Sequence, residues 1–150
     1  MDMFLDLEII KNELMVLPQN KSFCLQGVEE IDNDPFFGVG HIKHYNPYKE
    51  TDFVYPNFDI PHINSLIKKL NMYRTRVMIL EPKSCYSIHT DPTKRIHIPV
   101  YTNEKCWIIV NKEIIYLPAD GNYYEIDTTQ QHTALNGSSE NRIHIVGLVT

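Results

Sequence analysis

RTRVMILEPKSCYSIHTDPTKRIHIPVYTNEKCWIIVNKEIIYL, residues 74–117, is the stretch on which the fold turns. Its apolar residues fall into short runs rich in Ile, Val and Tyr, namely RTRVMILEP, CYSIH, RIHIPVYT, CWIIV and EIIYL. Polar turns such as EPKS, DPTK, TNEK and VNK part them, and runs bounded in this way read as strands. The same texture continues through NYYEID (122–127), QQHTALN (130–136) and RIHIVGLV (142–149), with PADG as a further turn. Eight short strands at even spacing predict a jelly roll, or double-stranded β-helix.

Working outward from that stretch, the texture changes near residue 71. Residues 4–16 place Leu5, Ile9 and Leu14 among Glu8, Lys11 and Glu13, with Leu17 following, which predicts an amphipathic helix closed by Pro18. A short strand is expected over 21–27. Residues 32–61 are rich in Pro, Asn, Asp and Tyr (NDPFFG, HYNPY, YPNFDIP) and predict irregular loop. Loops of this length inside a compact domain serve as covers or binding loops. A second helix follows over 61–71, with Pro61 in its first turn. The expected class is α+β, predominantly β. It comprises one domain over 1–150, with a helical and loop part over 1–70 that braces a β-barrel core over 71–150.

Bulk composition narrows the function. At 150 residues, 43% hydrophobic and 22% charged, the chain is an ordinary globular one able to bury a core. A net charge of -5 argues against sequence-independent nucleic-acid binding, which needs clustered cations to displace counterions; Lys68, Lys69, Arg74 and Arg76 read as a solvated face. Three widely spaced cysteines, Cys24, Cys85 and Cys106, form neither a disulfide framework nor a CxxC site. No secretory leader is read in MDMFLDLEIIKNELMVL and no apolar run reaches membrane-spanning length. A cytoplasmic protein with no membrane and no nucleic-acid partner is expected.

Three groups in the β half carry chemistry. His89 and Asp91 stand at i and i+2 on an extended segment, so their side chains share a face and can converge on one ion. His132 lies in the seventh expected strand, which neighbours the second in a jelly roll and so completes the triangle. Two imidazoles and one carboxylate leave coordination positions open, the facial triad of non-haem iron(II) oxygenases. Taken singly, each has an ordinary structural reading: Asp91 as the cap of the DPTK turn, His132 as a satisfied core or surface histidine. Arg142, ten residues beyond His132, should point into the same barrel mouth, where its planar fork suits a carboxylate; the ordinary alternative is a surface pair with Glu140. Arg95 and His97 form another i, i+2 pair. Alternation fits both an inward polar pair and an outward stripe with Ile96 and Ile98 turned to the core.

Residues 76–149 resemble the aspartyl/asparaginyl β-hydroxylase family of 2-oxoglutarate oxygenases. The resemblance rests on MILEP (78–82), IHTDPTKRIHIPV (88–100), LPADGNYYEIDTTQQHTALN (117–136) and NRIHIVGLV (141–149), in the order HxD, RxH, H and R at +10. It implies a cupin-like barrel, Fe(II) and 2-oxoglutarate as cofactors, His89, Asp91 and His132 as ligands, and Arg142 as the clamp on the distal carboxylate. Arg95 and His97 match positions near the cosubstrate and substrate. Some animal members lack the carboxylate ligand, whereas this chain has Asp91.

The implied reaction hydroxylates a C–H of an amino acid or peptidyl side chain, consuming dioxygen and 2-oxoglutarate and releasing succinate and carbon dioxide. Ile98, Ile108, Tyr124 and Ile126 are the expected apolar shield, and Asn136 is either a donor behind the ligands or a turn residue. His41 and His44 stand at helical spacing, but Gly38, Gly40 and Pro47 argue against a helix and hence against a second metal site. Tyr45, Tyr48, Tyr55 and Phe58 are candidates for a substrate cover. The rival readings are a non-oxidative cupin-type metal protein, which draws on HxH and needs no arginine at +10, and an inactive barrel kept for interactions.

Overall fold

The computed structural model describes residues 4–150; Met1, Asp2 and Met3, part of the stretch read for a leader, lie outside the described residues. Helix α1 runs Leu7–Leu14, shorter at both ends than the periodicity predicts. Asp6 sets its start, because its Oδ1 accepts from the backbone N–H of Glu8 (3.1 Å) and Ile9 (3.3 Å) and so satisfies donors the helix leaves orphaned. Ile10 and Leu14 form the buried stripe, and Ile9, expected on it, is exposed. Helix α2, Pro61–Lys69, has no side-chain cap of its own. Glu13 of α1 supplies one: its carboxylate accepts from the N–H of His62 (2.9 Å) and Ile63 (2.7 Å) at the positive end of α2.

The strand expected over 21–27 is split in two. β1, Phe23–Cys24, joins the main sheet, whereas β2, Gln26–Gly27, pairs with β3, Tyr55–Pro56. No α-helix forms at HIKH; a single 3-10 turn, Ile42–Tyr45, follows His41 as its cap, and a turn this short fits between Gly40 and Pro47 where an α-helix would not.

The remaining strands are β4 (Tyr73–Leu80), β5 (Ser84–Cys85), β6 (Arg95–Tyr101), β7 (Cys106–Val110), β8 (Glu113–Ile115), β9 (Tyr124–Ile126), β10 (His132–Asn136) and β11 (Arg142–Leu148). They form two antiparallel sheets, ordered β1-β4-β11-β6-β9 and β5-β10-β7-β8. From β4 onward, consecutive strands alternate between the sheets except at the β7–β8 hairpin, which stays within one sheet; this is the order of a double-stranded β-helix, and the fold is mostly β with two helices, as expected. The neighbouring of second and seventh barrel strands is realised by β5 on β10. The second strand is shorter than CYSIH, and His89 meets β10 only through an isolated bridge to His132, with N···O distances of 3.0 and 2.9 Å.

Two cores result. One lies between the helices and the outer face of the five-stranded sheet, with Ile10, Ile63 and Ile67 against Val77, Ile98 and Ile145. The other, smaller, lies between the sheets, around Leu80, Ile108, Val110, Ile126 and Ala134. β6 is therefore buried on both faces, which accounts for its unbroken run of buried residues from Arg95 to Val100.

Candidate metal centre

One end of the barrel opens into a cavity of about 490 Å³ lined by residues from both sheets and from the loop before the first 3-10 turn. His89, Asp91 and His132 meet on its wall, with ligand-type atoms all within 4.8 Å of one another. Asp91 Oδ2 lies 3.4 Å from His132 Nε2, and Asp91 Oδ1 lies 3.8 Å from His89 Nε2. The Nδ1 atom of each histidine faces a backbone carbonyl: His89 that of Ser87 (2.6 Å) and His132 that of Gln130 (2.9 Å). A proton on Nδ1 satisfies those carbonyls and leaves Nε2 as a bare lone pair aimed at the common point, the tautomer a metal requires. The residues fit a small divalent cation of the two-histidine, one-carboxylate kind.

Electrostatics favour the same state of the acid. Without a metal, burial pushes the Asp91 carboxyl up, but a hydrogen bond from a protonated Nε2 of His132 and the charge of Arg95 outweigh it and hold the group down at about 2. For His132, burial acts downward and the Asp91 and Gln130 contacts upward, with a net rise above the ordinary value.

Arg142 opens the last strand on the inner face, 2% exposed, and lines the same cavity. The surface pair with Glu140 does not form; Arg142 makes no ion pair among the described residues, and its Nε and Nη1 have no hydrogen-bond partner. Burial lowers its basicity. The hydroxyl of Tyr86, also on the cavity wall, is buried and unpartnered too. A buried guanidinium without a partner is costly. An oxyanion in the cavity that accepted from these donors would remove the cost.

Arg95 and His97 both face this cavity, while Ile96 and Ile98 face the helices, so inward polar pair and apolar stripe are both real, on opposite faces. Arg95 is tied on two sides. Its Nη2 is 2.9 Å from Glu50 Oε2, and its Nε is 3.6 Å from Asp91 Oδ2. Glu50 also holds Arg74 Nη1 at 2.9 Å. Arg74 in turn donates to the carbonyls of Gly38 and Gly40, and Arg76 donates to that of Val39 at 2.7 Å. Arg74 takes a left-handed φ of 46° where β4 and β11 slip register, which re-aims its side chain toward the loop. Arg74 and Arg76, read above as a solvated face, are thus interior groups that pin the loop wall to the barrel.

The other expected participants divide. Ile108 lines the cavity. Ile98 does not, because it packs under the helices; Ile126 belongs to the inter-sheet core, and Tyr124 spends its hydroxyl on Asp120 Oδ2 (2.7 Å). Asn136 is a clasp: its Nδ2 donates to the carbonyls of Leu80 (2.9 Å) and Glu140 (2.7 Å), so it closes the turn before β11. His41 caps its own 3-10 turn and packs edge-on against His44. Tyr45, Tyr48, Tyr55 and Phe58 do not line the cavity; Tyr45 and Tyr48 pack on Phe37, and Phe58 on Phe23. The wall there is Val39–Ile42.

Two participants escaped the sequence reading. Glu50 left no local signal, since it is one acid in a loop whose partners lie 24 and 45 residues away. His144 did leave one. RIHI occurs twice, at 95–98 and 142–145, and in antiparallel neighbours the second copy puts His144 Nδ1 3.1 Å from His97 Nδ1.

A double-stranded β-helix with a His-X-Asp and a distant His at one mouth defines a cupin-like barrel with a candidate metal triad. The comparisons narrow that class. The sequence model of aspartyl/asparaginyl β-hydroxylase matches residues 49–149, and the chain belongs to this family of 2-oxoglutarate-dependent hydroxylases. No curated protein sequence matches it. Among solved structures it is similar to a protein of Photorhabdus luminescens (17% identity, TM-score 0.43), covering 51% of this chain and 61% of that one. A protein described as a predicted oxalate decarboxylase from Thermotoga maritima matches at 14% identity and TM-score 0.43, over 57% and 71% of the two chains. A cupin-2 domain protein from Shewanella frigidimarina matches at 16% and 0.40, over 53% and 71%. No helix among the described residues is long and apolar enough to cross a membrane.

Proposed function

We propose that the protein is an Fe(II)- and 2-oxoglutarate-dependent dioxygenase that hydroxylates an unactivated C–H of an amino acid or protein side chain. His89, Asp91 and His132 hold the iron. Arg142, with the Tyr86 hydroxyl, takes the distal carboxylate of 2-oxoglutarate. Arg95 steadies Asp91, and His97 faces the cosubstrate and substrate from the adjacent strand. Iron, 2-oxoglutarate and dioxygen together supply the oxidative chemistry, in which the keto acid becomes succinate and carbon dioxide as the C–H becomes C–OH. The protein's own part is to bind, orient and keep the cavity dry. Met78, Ile108 and Val146 provide the apolar wall.

The observation that carries this reading over a non-oxidative cupin is the unpartnered Arg142 in the cavity of the triad. A metal site alone needs no such group, whereas a dicarboxylate cosubstrate does. The test is succinate formation from 2-oxoglutarate with iron(II), ascorbate and air, with and without candidate amino acids and peptides. Asp91→Ala is expected to weaken metal binding and lower turnover, and Arg142→Ala to keep metal and lose 2-oxoglutarate. Equal binding of both ligands by wild type and variants would sink the proposal.

A further inference from the structure

The duplicated RIHI places four side chains in a row on the inner face: Arg95, His97, His144 and Arg142. The two strands run in opposite directions, so the arginines fall at the ends and the imidazoles meet in the middle. His97 lines the cavity; His144 sits behind it, 2% exposed, with Nε2 buried and unpartnered. Burial and the nearby arginines hold both rings well below the ordinary histidine value, so both are neutral and one proton is shared between the two Nδ1 atoms.

That proton has two possible owners. If His97 carried it, His97 would offer a lone pair to a cavity lined by arginines, and His144 would bury an Nε2–H with no acceptor. If His144 carries it, the bare Nε2 of His144 lies in the field of Arg142, and His97 presents Nε2–H to the cavity. The second arrangement leaves the smaller debt, because an orphaned donor is the rarer defect and an anionic guest needs donors.

We infer that His144 is a positioning residue that donates Nδ1–H to His97 Nδ1 and thereby fixes His97 as a neutral Nε2–H donor toward an anionic ligand. The assignment of that ligand as 2-oxoglutarate rests on the function proposed above; the tautomer does not.

The experiment therefore has two arms. In metal-free wild-type protein with 15N-labelled histidine, long-range 1H–15N spectra should show the proton of His97 on Nε2 and that of His144 on Nδ1. The reverse pattern overturns the inference and needs no variant. In the second arm, the Mn(II)-loaded protein is titrated with 2-oxoglutarate. His144→Leu should weaken 2-oxoglutarate by about tenfold, the loss of one hydrogen bond to a charged group, with Mn(II) affinity unchanged. His144→Asn, whose amide can donate in place of Nδ1–H, should restore most of it. If His144→Leu folds and binds 2-oxoglutarate like wild type, His144 positions nothing. If wild type itself fails to bind 2-oxoglutarate, the proposed function falls, while the spectra still decide the tautomer.

Discussion

The five-stranded sheet has two buried faces, and they are buried for opposite reasons. The outer face, under α1 and α2, is aliphatic: Val77, Ile96, Ile98 and Ile145 remove apolar area from water and carry stability. The inner face of the same strands holds Arg76, Arg95, His97, Arg142 and His144, all buried or nearly so, and several of their polar atoms have no partner. Burial by itself therefore does not distinguish core from site in this molecule. What distinguishes them is whether the buried groups are satisfied by the protein or await something else.

The sharpest way to break that contrast is Arg142→Met. The substitution keeps the apolar stem and removes a charge that has lost its hydration for no partner. The 2-oxoglutarate KM is expected to rise by about a hundredfold or more, as for a desolvated charged contact of ~3 kcal/mol. The metal-free protein should become no less stable, and up to ~1–4 kcal/mol more stable, in urea titrations. Marked destabilisation of the metal-free variant would mean that Arg142 is structural and the inner face is a core after all.

Ile98→Ala asks the reverse question one residue along β6 from His97, on the opposite face of the sheet. Ile98 is 1% exposed within the outer core, so truncation should cost about 2–5 kcal/mol by urea midpoint. Turnover per folded molecule should change far less than stability at low temperature, since the truncated side chain lies under the helices and lines no part of the cavity. A fall in kcat as large as the fall in stability would show that the faces are mechanically one.

These two strands also show what the sequence could and could not carry. Period-two alternation and turn spacing are local, so eight strands, their order and the convergence of His89, Asp91 and His132 were legible. Alternation does not say that both faces of β6 are covered, which is why Arg95 and His97 read as either inward or outward. Glu50 was beyond reach, because its value comes from two arginines delivered by packing from distant sequence. Ile98 was misassigned to the site for a related reason: its parity is opposite to that of His97, but only the position of the helices shows which parity faces the cavity.

Acid separates the faces more gently. His97 is held at about 3 by burial and by the charges of Arg142 and Arg95, against an ordinary 6.5, and His144 is lowered as well. The stability contributed by these neutral rings is present above 6.5 and lost as the pH falls toward the folded value, because the unfolded chain then binds the protons. His132, raised, contributes oppositely: its stabilisation is present below the ordinary value and lost as pH rises through the folded one. Asp91, depressed to about 2, contributes above 3.8 and changes little between about pH 5 and 7, with a small further loss as pH falls to 4. Two rings against one give a net decline in the urea midpoint of metal-free protein from pH 7 to 4. His97→Gln should flatten the decline, whereas Ile98→Ala should shift the curve without changing its slope.

The smallest effect belongs farthest from the cavity. Asp6 accepts from the first free N–H groups of α1, and Asp6→Ala should cost about 1 kcal/mol, the usual worth of such a cap. Because α1 presses Ile10 and Leu14 on the outer face and its Glu13 caps α2, loosening α1 should also loosen α2, with faster amide exchange in both helices. Metal affinity and 2-oxoglutarate affinity should not move. Each variant tested on the outer face would then alter stability alone. Loss of 2-oxoglutarate affinity in Asp6→Ala would instead mean that the helices set the spacing of Arg95, His97 and Arg142 through the thickness of the sheet.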